Sequence, residues 1–133
     1  MIEWGCFDGV YISTEVEEAL ETFKIELNCP VYSYPQKRFK ENTDQYLATI
    51  EFNRENDKYL RGAEYFSSMY ILSKCNWLIA GICGGTNFSL MFNNGMYENK
   101  YLFNLGVYGI DDINDNAEWW YYQNLIHILK HYY

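Results

Sequence analysis

Apolar residues recur along the chain with two different spacings, and these predict alternating strands and helices. Short β-branched and aromatic runs, such as residues 10–14, are typical of strands. Longer stretches with apolar residues three and four positions apart, such as residues 59–74, are typical of amphipathic helices. The predicted elements, in chain order, are strand 10–14, helix 15–27, strand 30–34, helix 59–74, strand 76–80, helix 86–93, strand 100–105 and helix 116–131.

This order of elements predicts a single α/β domain over residues 1–133. Alternating strands and helices favour a mainly parallel sheet of about four strands with helices on both faces, a three-layer, Rossmann-like arrangement. Ligands bind such sheets at the carboxyl ends of the strands. The turns at residues 13–15 and 81–87 are expected at that edge. The polar segment 35–58 is long for a connection, so it is either a functional loop or contains an undetected element.

Three of the nine glycines, Gly81, Gly84 and Gly85, lie within five residues after the third predicted strand. A glycine-rich loop before a helix exposes unpaired N–H groups and the positive end of the helix dipole, which together suit a phosphate. The spacing matches neither a P-loop nor a dinucleotide-binding fingerprint, and a simple tight turn is the alternative interpretation. The polar side chains that follow are Thr86, Asn87 and Ser89.

The overall charge and composition exclude some classes of function. A formal net charge of −8 disfavours a nucleic-acid surface. We expect no transmembrane segment, because no apolar run is long enough, and no signal peptide, because the N-terminus lacks basic residues. The four cysteines contain no C-x-x-C pair, and those in apolar surroundings, Cys75 and Cys83, are predicted to be buried free thiols. A cytoplasmic protein is therefore expected.

Residues 62–95, GAEYFSSMYILSKCNWLIAGICGGTNFSLMFNNG, resemble a stretch of bacterial glycosyltransferases. The likeness is to the C-terminal half of fucosyltransferase-like enzymes with the two-domain GT-B architecture. The earlier run VYISTEVEEALETF resembles a strand followed by a helix in the same enzymes. Together the two runs extend the resemblance over about residues 9–106, and the L-S-K-C segment is its most distinctive part.

The resemblance implies that this half binds the nucleotide-diphosphate sugar donor, without a further cofactor or a bound metal. It assigns no catalytic residue. The positions that match the family's donor-binding segments, together with the neighbouring Asn87, are Thr14, Glu15, Glu64, Gly84, Gly85, Thr86, Asn87 and Ser89.

The sequence departs from the family pattern at several positions. Ser68 and Asn76 stand where the family tends to have acidic residues, and Cys83, Gly84 and Gly85 stand where it commonly has serines. The basic H-x-R motif of related enzymes has no counterpart. The resemblance thus implies that the acceptor-binding half is missing and that turnover by this chain alone is doubtful.

Other candidate sites have ordinary structural alternatives. His127 and His131 have metal-ligand spacing on the last predicted helix, but histidines there also complement the helix dipole. One of the basic residues near the long loop could stabilise a leaving diphosphate, with Arg54 and Arg61 preferred, or each could simply be solvated. These residues are Lys37, Arg38, Lys40, Arg54 and Arg61. An acidic cluster that suits either a cation or a turn consists of Asp111, Asp112 and Asp115. Aromatic residues that suit either sugar stacking or a core are Trp119, Trp120, Tyr121 and Tyr122.

Two functions therefore remain in view. The leading hypothesis is the donor-binding half of a glycosyltransferase of bacterial glycan synthesis. The alternative is a non-catalytic α/β module, or a remnant of such an enzyme, whose exposed apolar face or strand edge is covered by self-association.

Overall fold

The structure, a computed structural model, describes residues 7–40 and 50–103. It confirms a mixed α/β fold. The elements, in chain order, are β1 (Val10–Tyr11), α1 (Glu17–Glu26), β2 (Val31–Tyr32), α2 (Asp57–Leu72), β3 (Trp77–Gly81), α3 (Gly84–Asn93) and β4 (Asn99–Phe103). The predicted helix 116–131 and the last two residues of the predicted strand 100–105 lie outside the described residues.

The strands pair in parallel, as predicted, but form two separate sheets of two strands. In the first sheet β1 pairs with β2, with Val10 opposite Val31. In the second sheet β3 pairs with β4, with Ile79 opposite Tyr101. Because β1 and β2 are only two residues long, they offer little backbone for further pairing. A single four-stranded sheet is therefore not seen among the described residues.

Two helices begin at different residues from those predicted. The helix predicted to start at Thr86 starts at Gly84, so two of the clustered glycines lie inside α3 rather than in a loop. The helix predicted to start after Thr14 starts at Glu17, and Val16 is its N-cap. The Thr14 hydroxyl instead accepts a hydrogen bond from the Val16 N–H at 3.2 Å, which closes the turn before the helix.

The main core lies where α2 and α3 meet β3. Leu78 of β3 is 1% exposed, and Leu90 of α3 and Met69 of α2 are also buried. Ser89 lies fully buried between the two helices, where its hydroxyl can donate to the Met69 carbonyl at 3.1 Å. The two helices thus pack closely against each other.

Phe39 anchors the segment that leads away from β2. Its N–H donates to the Glu15 carbonyl and its carbonyl accepts from the Glu17 N–H, both at 2.8 Å. The resulting parallel bridge joins Phe39 to Val16. Phe39 is buried and stacks on Phe52, with ring centroids 4.7 Å apart. Part of the segment predicted as a polar connection therefore runs beside the start of α1.

Candidate functional site

Two chain segments that leave parallel strands define what we call the strand-end site. They are the turn at residues 13–15 after β1 and the start of α3, Cys83–Thr86. Buried Ser68 of α2 links to the first segment, because its hydroxyl lies 2.8 Å from the Ser13 hydroxyl and 3.0 Å from that of Tyr11. The helix that holds the end of β1 is thus the same helix that packs on α3.

Tyr65 of α2 lies against Gly85, in the second of these segments. Burial raises the pKa of its hydroxyl, and negative charge at Cys83 and Glu15 raises it further. The prediction that both turns lie at the edge of one sheet is not confirmed, because β1–β2 and β3–β4 form separate sheets. The two segments are instead connected by α2, since Ser68 contacts Ser13 and Tyr65 lies against Gly85.

The start of α3 offers backbone N–H groups for a ligand. The N-cap residue Cys83 has an extended backbone (φ −152°, ψ 174°), and its side chain makes no capping hydrogen bond. Gly84 is exposed, and a Cβ atom there would meet nothing within 4 Å. The first N–H groups of a helix have no partner within the helix. This end of α3 therefore has the geometry that suits an anion.

Gly85 has a different role from Gly84. It is buried, and a Cβ atom there would collide with the Tyr65 hydroxyl and lie 2.7 Å from the Met69 sulfur. The bare backbone of Gly85 is needed for α2 to approach α3. The expectation that Gly85 lacks a side chain so that a ligand can approach its backbone is not supported.

The side chains of Thr86 and Ser89 are buried and hydrogen-bonded within the fold. Thr86 Oγ1 donates to the Gly81 carbonyl at 2.6 Å, which ties the first turn of α3 back to β3. The Ser89 hydroxyl lies 3.1 Å from both the Gly85 and the Met69 carbonyl oxygens. Both hydroxyls thus have structural partners rather than a free position toward a ligand.

Asn87 keeps one unused polar atom in the first turn of α3. Its N–H bonds to the Cys83 carbonyl at 3.1 Å, as in a regular helix. Its side-chain Oδ1 is buried and has no hydrogen-bond partner among the described residues. A ligand hydroxyl or amine could donate to this oxygen.

Glu64 lies in an ion-pair cluster at the start of α2. Arg54 donates to its two carboxylate oxygens at 2.7 and 2.8 Å and to Asp57 at 2.5 Å. The hydrogen bonds from Arg54 lower the pKa of Glu64. For Asp57, desolvation raises the pKa, but hydrogen bonds from Arg54 and the Phe52 N–H bring it below its ordinary value. Glu64 and Arg54 thus neutralise each other, and neither supports the ligand-binding role expected of it.

Thr14 is held by its backbone carbonyl rather than presented by its side chain. That oxygen accepts hydrogen bonds from Gln36 Nε2 at 3.1 Å and from Arg38 Nε at 3.2 Å. Sequence reasoning grouped Arg38 with the other basic residues near the long loop but favoured Arg54 and Arg61. The parallel bridge between Phe39 and Val16, which brings Arg38 close to Thr14, leaves no sequence signal.

Arg61 also has partners within the fold. Its guanidinium donates to the Ile50 carbonyl at 2.7 Å and lies 5.0 Å from the centroid of the Phe39 ring. Its position by the buried Phe39 favours a structural role for this cation.

Free thiols are present at Cys29, Cys75 and Cys83. Cys75 is partly buried, and desolvation raises its pKa. The prediction that Cys83 is buried is wrong, because the N-cap position leaves it exposed.

Within residues 7–40 and 50–103 no group of three or more histidine, cysteine or acidic side chains could hold a metal ion. The same part of the chain contains no helix long and apolar enough to cross a membrane. The histidine pair at 127 and 131, the acidic cluster at 111–115 and the aromatic run at 119–122 lie outside the described residues.

An open cavity of about 250 Å³ lies at the opposite, amino end of β3. Its polar lining is already satisfied, since Asn93 donates to the Ser73 carbonyl and accepts from the Tyr97 N–H. This cavity therefore offers weaker ligand chemistry than the strand-end site.

Comparison with known proteins adds no family assignment. No protein-family model, curated protein or solved structure matches the chain significantly. The resemblance to glycosyltransferases remains a prediction from the residues quoted above.

Proposed function

We propose that this chain is the donor-binding half of a glycosyltransferase of bacterial glycan synthesis. In this proposal the diphosphate of a nucleotide-sugar binds at the start of α3. The chain would form one Rossmann-like, three-layer domain. We place it in the cytoplasm, in keeping with the free thiols Cys29, Cys75 and Cys83.

The open start of α3 is the observation that carries the proposal. The helix begins directly after parallel strand β3, its N-cap side chain does not cap it, and Gly84 leaves room for close approach. A diphosphate there would accept hydrogen bonds from the N–H groups of Gly84, Gly85 and Thr86. The positive end of the helix dipole would favour its charge.

The structure changes which atoms take part in the proposed contact. Backbone N–H groups bind the phosphates, because the hydroxyls of Thr86 and Ser89 are engaged within the fold. The unpartnered Asn87 oxygen accepts from a hydroxyl of the ligand. When the sugar passes from the diphosphate oxygen to an acceptor hydroxyl oxygen, the same N–H groups stabilise the charge that develops on the leaving diphosphate.

A binding experiment with one designed variant tests this proposal. Isothermal titration calorimetry with GDP and UDP measures the dissociation constants, and a thermal shift measures the accompanying stabilisation. A ligand at one hundred times its dissociation constant stabilises the folded state by about 2.7 kcal/mol. Gly84→Asp places a carboxylate where the phosphate would bind and should remove binding. Gly62→Asp is the matched control, because a Cβ atom at Gly62 of α2 also meets nothing within 4 Å.

Three outcomes are distinguishable. Binding that favours one base, is lost in Gly84→Asp and is kept in Gly62→Asp supports the proposal. Binding that survives Gly84→Asp locates the ligand elsewhere. The absence of binding to either nucleotide by the unmodified chain contradicts the proposed function.

A second candidate function, self-association, is favoured by one exposed sheet face. Ile79 lies in the middle of β3 and is 61% exposed, whereas its neighbour Leu78 on the other face is 1% exposed. Tyr101 of β4, which is opposite Ile79 in the register, is 41% exposed on the same face. A second copy of the chain could cover this face.

Analytical ultracentrifugation over a range of protein concentrations tests self-association. An oligomer that dissociates on Ile79→Lys but not on Met91→Lys supports this candidate. Met91 is the control because it is similarly exposed, at 67%, but lies on α3. A chain that is monomeric at all concentrations contradicts it.

A further inference from the structure

Arg38 is a buried cation at the carboxyl ends of β1 and β2. Its side chain is 7% exposed. The guanidinium donates to three backbone carbonyls: Nε to Thr14 at 3.2 Å, Nη2 to Tyr34 at 2.8 Å and Nη1 to Gln36 at 3.5 Å. The Glu17 carboxylate lies 4.0 Å from Nη1 and is about half exposed. Carbonyl oxygens thus provide most of the close contacts of this charge.

These carbonyls belong to different chain segments that must stay together. Thr14 follows β1, whereas Tyr34 and Gln36 follow β2. A planar guanidinium presents five donors in a fixed geometry and can hold several acceptors at once, which a lysine ammonium cannot do in the same way. Arg38 therefore fixes where the turn after β1 lies relative to the segment after β2.

The turn held by Arg38 connects to α3 through α2. Ser13, next to Thr14, contacts the Ser68 hydroxyl at 2.8 Å. Tyr65, one turn earlier on α2, lies against Gly85 at the start of α3. Through these contacts, the position of the turn at residues 13–15 determines the distance between the turn and the start of α3.

We infer that Arg38 is a positioning residue of the strand-end site. By holding the Thr14 carbonyl, it places the turn at residues 13–15 where the nucleoside part of a ligand meets it, while the diphosphate binds at α3. This inference rests on the proposed function and adds to it a residue that does not itself touch the ligand.

Two ligands separate a positioning role from a general structural role. Pyrophosphate is expected to contact only the start of α3, whereas a nucleoside diphosphate contacts both segments. Loss of the hydrogen bonds made by Arg38 should therefore weaken the binding of the nucleoside diphosphate but not that of pyrophosphate. A variant that only destabilises the fold should weaken the binding of both ligands to the same extent.

The experiment measures dissociation constants for pyrophosphate, GDP and UDP by isothermal titration calorimetry with the full chain. Circular dichroism establishes that each variant is folded at the temperature used. Arg38→Lys keeps the charge but loses the planar set of donors. Lys58→Met is the control, because Lys58 is an exposed cation on α2 whose side chain is 86% exposed. Gln36→Met removes the second donor to the Thr14 carbonyl and provides an independent variant should Arg38→Lys fail to fold.

The expected result for Arg38→Lys is about tenfold weaker binding of the preferred nucleoside diphosphate, with pyrophosphate unchanged. Gln36→Met should show a smaller loss of the same kind, and Lys58→Met none. Equal losses for both ligands, or no loss in any folded variant, overturn the inference while leaving the proposed function intact. If the unmodified chain binds none of the three ligands, the proposed function fails and the inference fails with it.

Discussion

The backbone of Gly85 packs directly against Met69, so that a Cβ atom on Gly85 would lie 2.7 Å from the methionine sulfur. The contact joins the second residue of α3 to the buried face of α2. Gly84, one residue earlier, has open space in the same position. Two adjacent glycines that look equivalent in the sequence therefore have different physical roles.

The first prediction concerns this difference between the two glycines. Gly85→Val should lower the free energy of unfolding by about 2–3 kcal/mol, because the added atoms force α2 and α3 apart. Gly84→Val should change it by less than about 0.5 kcal/mol, because its side chain enters solvent. Urea unfolding followed by circular dichroism measures both values. Equal effects of the two substitutions would contradict the assigned packing.

The second prediction concerns the buried hydroxyl between α2 and α3. Ser89→Ala should lower the free energy of unfolding by about 1 kcal/mol, because it removes a buried hydroxyl that donates to the Met69 or the Gly85 carbonyl oxygen. Thr22→Ala is the matched control, since Thr22 makes the same type of bond, to the Glu18 carbonyl, on exposed α1. Its effect should stay within about 0.5 kcal/mol. A larger loss for Thr22→Ala than for Ser89→Ala in urea unfolding would refute this assignment.

The sequence predicted the longer elements better than the short ones. The helix predicted at residues 59–74 corresponds to α2, because its apolar spacing repeats over several turns and identifies one buried face. The strands β1 and β2 were predicted over five residues each but contain two. Their ends depend on tertiary contacts, such as the bond between Ser13 and Ser68, that no local pattern encodes.

The two strand-end turns of the candidate site could be predicted, but not how they are connected or what each residue does. A single parallel sheet was expected to bring the turn containing Glu15 and the loop at Cys83 to one edge. The structure has two separate sheets instead, and α2 contacts both segments. The role of Gly85 depends on Met69, sixteen residues away on another helix. The pairing of Glu64 with Arg54 likewise depends on how the preceding segment folds back onto α2.

The third prediction concerns acid sensitivity of the Arg54 cluster. The folded-state pKa of Glu64 is lowered by hydrogen bonds from Arg54. Its stabilisation is therefore fully present above the ordinary pKa of 4.5 and is lost as the pH falls through the lower folded-state pKa. Asp57 shows the same direction of shift and adds to the effect.

Glu64→Gln tests this dependence. The variant should unfold at lower urea concentration than the unmodified chain at pH 7, because it lacks the charged bidentate partner of Arg54. The gap between the two urea midpoints should narrow steadily as the pH falls below 4.5. Glu26→Gln, at the exposed end of α1, is the control and should show little gap at any pH. A gap for Glu64→Gln that does not change with pH would contradict the charge-based explanation.

The final prediction concerns Gly84→Asp in the absence of any ligand. A carboxylate at the first residue of α3 lies close to the positive end of the helix dipole and to unpaired N–H groups. It should therefore raise the free energy of unfolding by about 0.3–1 kcal/mol at low ionic strength. The gain should shrink in high salt, which screens exposed charges. Gly62→Asp, in the interior of α2, should show no salt-dependent gain in the free energy of unfolding.

Urea unfolding of both variants at low and high salt measures this effect. If Gly84→Asp is more stable yet no longer binds nucleotide, unfolding cannot account for the loss of binding. The carboxylate and the ligand must then compete for the same N–H groups. If Gly84→Asp shows no salt-dependent gain over Gly62→Asp, the start of α3 does not attract a negative charge, and the physical basis for a phosphate site there is removed.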